Sequence, residues 1–63
     1  MTLKELLEPF DDWNRNLVIN DDDLNRITEG VTWELVEQRK DLMQKKVRAY
    51  GFYGKKMYVR IIM

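Results

Sequence analysis

The spacing of apolar positions changes period several times along the chain, and each change predicts an element. Leu3, Leu6, Leu7 and Phe10 fall at i, i+3, i+4 and i+7, one stripe of a helix. Thr2 and Glu5 have the spacing of a capping box, each side chain satisfying the other's backbone amide. Pro9 disfavours helical backbone at Glu8 and stops the helix there. Asp11–Asn14 reads as a turn, with Trp13 at the rim of the core. Arg15–Asn20 alternates as a strand does, Leu17 and Ile19 to one side and Val18 to the other. Asp21, Asp22 and Asp23 end it, being poor strand formers. Leu24–Glu29 reads as a weak second strand centred on Arg26–Thr28, broken by Gly30.

From Val31 the period becomes helical again. Thr32 is a fitting N-cap, Glu34 and Glu37 come early, and Arg39, Lys40, Lys45 and Lys46 come late, an order that suits the helix dipole. Trp33, Leu35, Val36, Leu42 and Met43 share half of the wheel, which predicts a core-facing helix over Thr32–Leu42. Arg39 lies inside that stripe, its stem on apolar surface and its head in water.

The last stretch, Lys46–Met63, predicts a β-hairpin. Gly54-Lys55 suits a two-residue type II′ loop, which pairs Phe52 with Met57, Tyr50 with Val59 and Arg48 with Ile61. One face then carries Tyr50, Phe52, Met57, Val59 and Ile61 and is assigned to the core. The other, with Val47, Ala49, Gly51, Tyr53, Tyr58, Arg60 and Ile62, is mixed. The expected fold is a single α+β domain over residues 1–63, a small antiparallel sheet of three or four strands against two short helices, in the order α-β-β-α-β-β.

Charge divides the chain. Met1–Glu37 carry ten acids against three bases and Gln38–Met63 eight bases against one acid, local charges of −7 and +7. Contact between the halves neutralises them in part, and the remainder hints at charged partners. There is no Cys and no His, which removes disulfides, thiolate zinc sites and the commonest general base. No apolar run approaches the ~20 residues of a membrane span, and the acidic N-terminal stretch lacks the pattern of a secretory signal. The expected location is the cytoplasm.

No catalytic constellation stands out. Asp21, Asp23 and Asn25 alternate like the first ligands of a calcium loop, but Arg26 stands where that loop needs Gly and Thr32 where it needs Glu. The aspartates at 11, 12 and 21–23 read as solvated turns rather than as a catalytic pair held in unlike environments. No phosphate loop, cofactor motif or metal spacing is present. The chain therefore reads as a non-enzyme that binds. Two surfaces qualify for another protein or for self-association: the mildly apolar second face of the hairpin with Tyr58, rimmed by Arg48 and Lys56, and an acidic ridge of Asp11, Asp12, Asp21, Asp22 and Asp23. The residues chosen for partner binding are Arg48, Tyr53, Lys56, Tyr58, Arg60, Asp21, Asp22 and Asp23. The alternative is single-stranded nucleic acid, since Lys45, Lys46, Arg48, Lys55, Lys56 and Arg60 interleave with Tyr50, Phe52, Tyr53 and Tyr58 as in a stacking platform. A near-neutral pI and the acidic half oppose it.

The succession MTLKELL, DDW, LVINDD, a segment ending in EG, a charged helix and KKVRAYGFYGKKMYVRI resembles a loose group of small uncharacterised proteins of Gram-positive bacteria, their prophages and phages. The resemblance implies a compact α+β fold and a mobile-element setting, with no site residues to carry over. By analogy it implies a protein that modulates host or phage machinery, defence systems included.

Overall fold

The computed structural model describes residues 1–63. A helix α1 (Leu3–Leu7) leads to strands β1 (Asn16–Asn20) and β2 (Arg26–Val31). Two short helices, α2 (Thr32–Gln38) and α3 (Lys40–Met43), precede strands β3 (Lys46–Tyr53) and β4 (Lys56–Ile62). This is the expected α+β order with one helix split in two. The four strands form one sheet in the order β2-β1-β4-β3.

The sheet is mixed rather than wholly antiparallel. β1–β2 and β3–β4 are antiparallel, but β1 and β4 run parallel, with Leu17 beside Met57 and Ile19 beside Val59. The cause lies in the connection from β2 to β3. The helical residues of α2 and α3, seven and four with Arg39 between them, rise ~1.5 Å each and carry the chain back to the end of the sheet where β2 began. β3 then runs parallel to β2, and β4 runs parallel to β1. β4 takes the inner position because its core face, Met57, Val59 and Ile61, is aliphatic and buried along its whole length, whereas Ala49, Gly51, Lys46 and Arg48 suit β3 to an edge.

All three helices lie on one face. Leu3, Leu6, Leu7, Leu35, Leu42 and Met43 pack onto Leu17, Ile19, Met57, Val59 and Ile61 in a single core, with Trp13, Ile27, Val36 and Val47 at its margin. The capping box forms: the Glu5 amide donates to Thr2 Oγ1 at 3.2 Å and the Thr2 amide to Glu5 Oε1 at 3.0 Å. The hydrogen bond that the Thr2 amide donates also holds the Glu5 carboxyl below its ordinary value. Trp13 Nε1 donates to the carbonyl of Leu7, 3.0 Å away, which fixes the turn against the end of α1.

Several expectations need correction. Gly30 does not break β2, which continues to Val31, because Gly30 lies on the core side under the Leu35 side chain. Thr32 is the first residue of α2 rather than its cap, and its hydroxyl donates to the carbonyl of Arg15 at 2.7 Å, tying the helix to β1. The helix breaks at Arg39 (φ −120°, ψ 57°), whose guanidinium pairs with Asp41 at 3.2 Å and holds that carboxyl below its usual range. Trp33 is largely exposed. In the hairpin a bulge at Arg48 sets Val47, not Arg48, opposite Ile61, and so turns Val47 to the core side. Gly54 alone of the loop residues has positive φ, 61°, as type II′ requires.

Candidate functional site

The face of the sheet opposite the helices is covered by no element of the chain. Alternation along the strands places Asn16, Val18 and Asn20 of β1, Glu29 of β2, Lys56, Tyr58 and Arg60 of β4, and Ala49, Gly51 and Tyr53 of β3 on it. Val18 is nevertheless fully buried and stands apart from the main core. Its register partners Tyr58 and Glu29 flank it, and Lys56 reaches over β1 to bond Glu29 at 2.9 Å. The hydrogen bond from Lys56, aided by its charge and that of Arg26, holds the Glu29 carboxyl below its ordinary value, and Glu29 in turn raises Lys56. Arg26 supplies a second partner to Glu29 at 2.8 Å.

Beside this bridge Tyr53 and Tyr58 meet edge to face, their centroids 5.4 Å apart, a favoured aromatic geometry. They line one side of a shallow depression of about 190 Å³ whose other walls include Ala49, Gly51, Arg60, Asn20 and Leu24. Gly51 opposes Tyr58 and Ala49 opposes Arg60, so the small residues of the edge strand leave room above them. Arg60 forms no ion pair. Leu24 has left-handed backbone (φ 66°) and is 66% exposed. Nothing in its sequence context signals this, and it was absent from the expected site.

Of the expected partner-binding residues, Tyr53, Lys56, Tyr58 and Arg60 gather on this face. Arg48 and Asp22 bind one another, Nε to Oδ1 at 3.2 Å and Nη2 to Oδ2 at 3.0 Å, and pin the β1–β2 loop beside the depression. Asp21 is occupied within that loop, its Oδ1 accepting from the amides of Asp23 and Asn25 at 2.9 and 2.8 Å. Asp23 is exposed. The acidic ridge does not form, because Asp11 and Asp12 precede β1 and Asp21–Asp23 follow it, putting the two groups at opposite ends of that strand.

The assignment of Tyr50 and Phe52 to the core also fails. They point to the helix side, as their pairing with Val59 and Met57 requires. The helix layer covers only the start of the edge strand, at Val47, and Tyr50 and Phe52 remain 51% and 47% exposed. Phe52 is held at the rim by Phe10, edge to face at 5.9 Å, and by the Arg15 guanidinium 5.2 Å above its ring. These rings, Asp11, Asp12 and Trp13 border an open cleft of about 300 Å³.

No family model, curated protein or solved structure matches the chain. No helix is long and apolar enough to cross a membrane.

Proposed function

We propose that this chain is a small non-catalytic interaction module that engages another protein through the helix-free face of its sheet. The observation that carries the reading is the depression bordered by Tyr53, Tyr58, Leu24 and Arg60, an amphipathic patch on a rigid support. Aromatic anchors and an arginine are the residues most enriched in the energetic centres of protein interfaces. The Glu29–Lys56 and Arg48–Asp22 pairs frame the patch and satisfy their own charges, so Arg60 is the cation left for a partner. The sequence resemblance extends the proposal to a phage or mobile-element protein acting in the cytoplasm on a host or phage protein.

The test is affinity capture with the wild type and the Tyr53→Ala/Arg60→Gln double variant, after nuclease treatment. Capture is expected from the wild type alone, with the two thermal midpoints nearly equal. Equal capture by both proteins overturns the reading.

One observation favours a second reading. Tyr50, Phe52 and Tyr53 are all exposed along β3, and Lys45, Lys46 and Lys55 stand near its ends without ion pairs, the ingredients of a single-strand stacking surface. That reading expects labelled oligothymidine to bind with an affinity that falls steeply as salt rises; absence of binding at low salt eliminates it.

A further inference from the structure

The edge of β3 is a second place where the fold is unfinished. The chain itself uses the start of that edge. Its first residues lie antiparallel to it, Thr2 beside Lys46, the Val47 amide donating to the Met1 carbonyl at 2.8 Å and the Leu3 amide to the Lys45 carbonyl at 2.9 Å. Beyond Val47 this added strand stops, and Arg48–Tyr53 has β4 on one side and no strand on the other.

Edge strands are ordinarily protected by a charge, a proline or a bulge. Here the bulge and the one charge coincide at Arg48, whose head is drawn away to Asp22. Ala49–Tyr53 that follows has no charge and no proline. Its aromatic side chains straddle the edge, Tyr50 and Phe52 on the helix side and Tyr53, 72% exposed, on the other. Lys45 and Lys46 stand before this stretch and Lys55 after it, and none has an acidic partner.

Building on the interaction-module reading, we infer that the β3 edge accepts an extended segment of a foreign protein as a fifth strand, aliphatic at alternate positions and acidic at both ends. Strand addition of this kind draws affinity from main-chain hydrogen bonds and selectivity from side-chain shelves. Tyr50 and Phe52 provide the shelf, and the flanking lysines select the acidic ends. A second copy fits less well. Antiparallel pairing of two β3 edges about Gly51 brings the start of each strand, at Lys46, to the Gly54-Lys55 turn of the other copy, like charge near like.

The probe is a synthetic peptide of alternating valine and threonine closed by aspartates at both ends, added to the intact protein and followed by amide NMR. Shifts and slowed hydrogen exchange are expected at Ala49–Tyr53, lost when alternate peptide nitrogens are methylated. A peptide with lysine ends is expected to bind more weakly, and Lys46→Glu/Lys55→Glu to weaken the aspartate peptide by about tenfold or more. Indifference to N-methylation, no binding, growth of a dimer with concentration, or preference for oligothymidine each overturns the inference. Because Tyr53→Ala/Arg60→Gln tests the open face and Lys46→Glu/Lys55→Glu the edge, peptide shifts confined to Tyr58 and Arg60 overturn the edge while leaving the module reading intact.

Discussion

At the level of single residues, strain and charge pairing both yield measurable expectations. Leu24 adopts a left-handed backbone that costs an L-residue roughly 1–2 kcal/mol, and its mostly exposed side chain recovers little of that by packing. Leu24→Asn keeps the turn with a residue that tolerates the conformation, so urea midpoints should rise by the equivalent of about 1 kcal/mol. If Leu24 also borders the partner site, the same substitution weakens capture while stabilising the fold. The Glu29–Lys56 bridge sets a pH dependence of definite sign. Glu29 is depressed, so its contribution is complete above the ordinary carboxylate value and is lost as pH falls through the lower, folded one. Lys56 is raised, so its contribution is complete below the ordinary lysine value and is lost as pH rises through the higher, folded one. Carbon NMR of the Glu29 carboxyl should give a midpoint below the usual glutamate range in the wild type and a rise toward that range in Lys56→Met, where Arg26 alone still lowers it. An unchanged midpoint in the variant contradicts the assignment. Neither feature was legible in the sequence: residues 24 and 29–56 acquire their roles from a loop closing and from a strand inserted between them.

Elements fared better where the signal was local. The capping box, the strand around Leu17–Ile19, the type II′ loop and the Phe52–Met57 and Tyr50–Val59 pairs follow from spacing alone and are all present. Failures came where a neighbour decided. Glycine signals a break by propensity, yet Gly30 extends β2 because Leu35 fills the space above it. A methyl group there would lie 3.5 Å from Leu35 Cδ2, an ordinary contact. Gly30→Ala should therefore raise stability by about 0.5–1 kcal/mol, the cost of glycine within a strand, in the same urea titration; a loss shows that the core above β2 has no room. The bulge at Arg48 was likewise invisible, since nothing in KVRAY marks an extra residue. It reverses the facing of Val47 and sends Arg48 to Asp22, so the half of the hairpin nearest its start differs from the register that the loop alone implies.

For the whole molecule, the hairpin organises the fold in a different sense from the one its sequence suggests. Its two strands were expected within a wholly antiparallel sheet, but β4 is an interior strand with β1, parallel to it, and β3 on either side. Its buried residues Met57, Val59 and Ile61 rest on Leu and Ile side chains of α1, β1, α2 and α3. That position was in principle readable, because Met57, Val59 and Ile61 make one face of KMYVRII wholly aliphatic, whereas KVRAYGFY carries Lys46, Arg48, Ala49 and Gly51. The direction of β4 was not, since it depends on the helical return that carries the chain across the sheet. One consequence separates the two views. If the hairpin were self-sufficient, the fragment Lys46–Met63 would show cross-strand NOEs between Tyr50 and Val59 in isolation. With β4 dependent on β1, the fragment should give narrow, random-coil proton shifts and no such contacts, as an isolated two-stranded hairpin is marginal at best. The complementary substitution acts from the other side. Leu17→Ala, in the fully buried centre of β1 beside Met57, should cost about 2–5 kcal/mol, a large share of the ~5–15 kcal/mol typical of a whole domain. It should therefore flatten the amide spectrum of β3 and β4 together with that of β1. Loss of β1 signals with the hairpin left dispersed is the result that overturns this dependence.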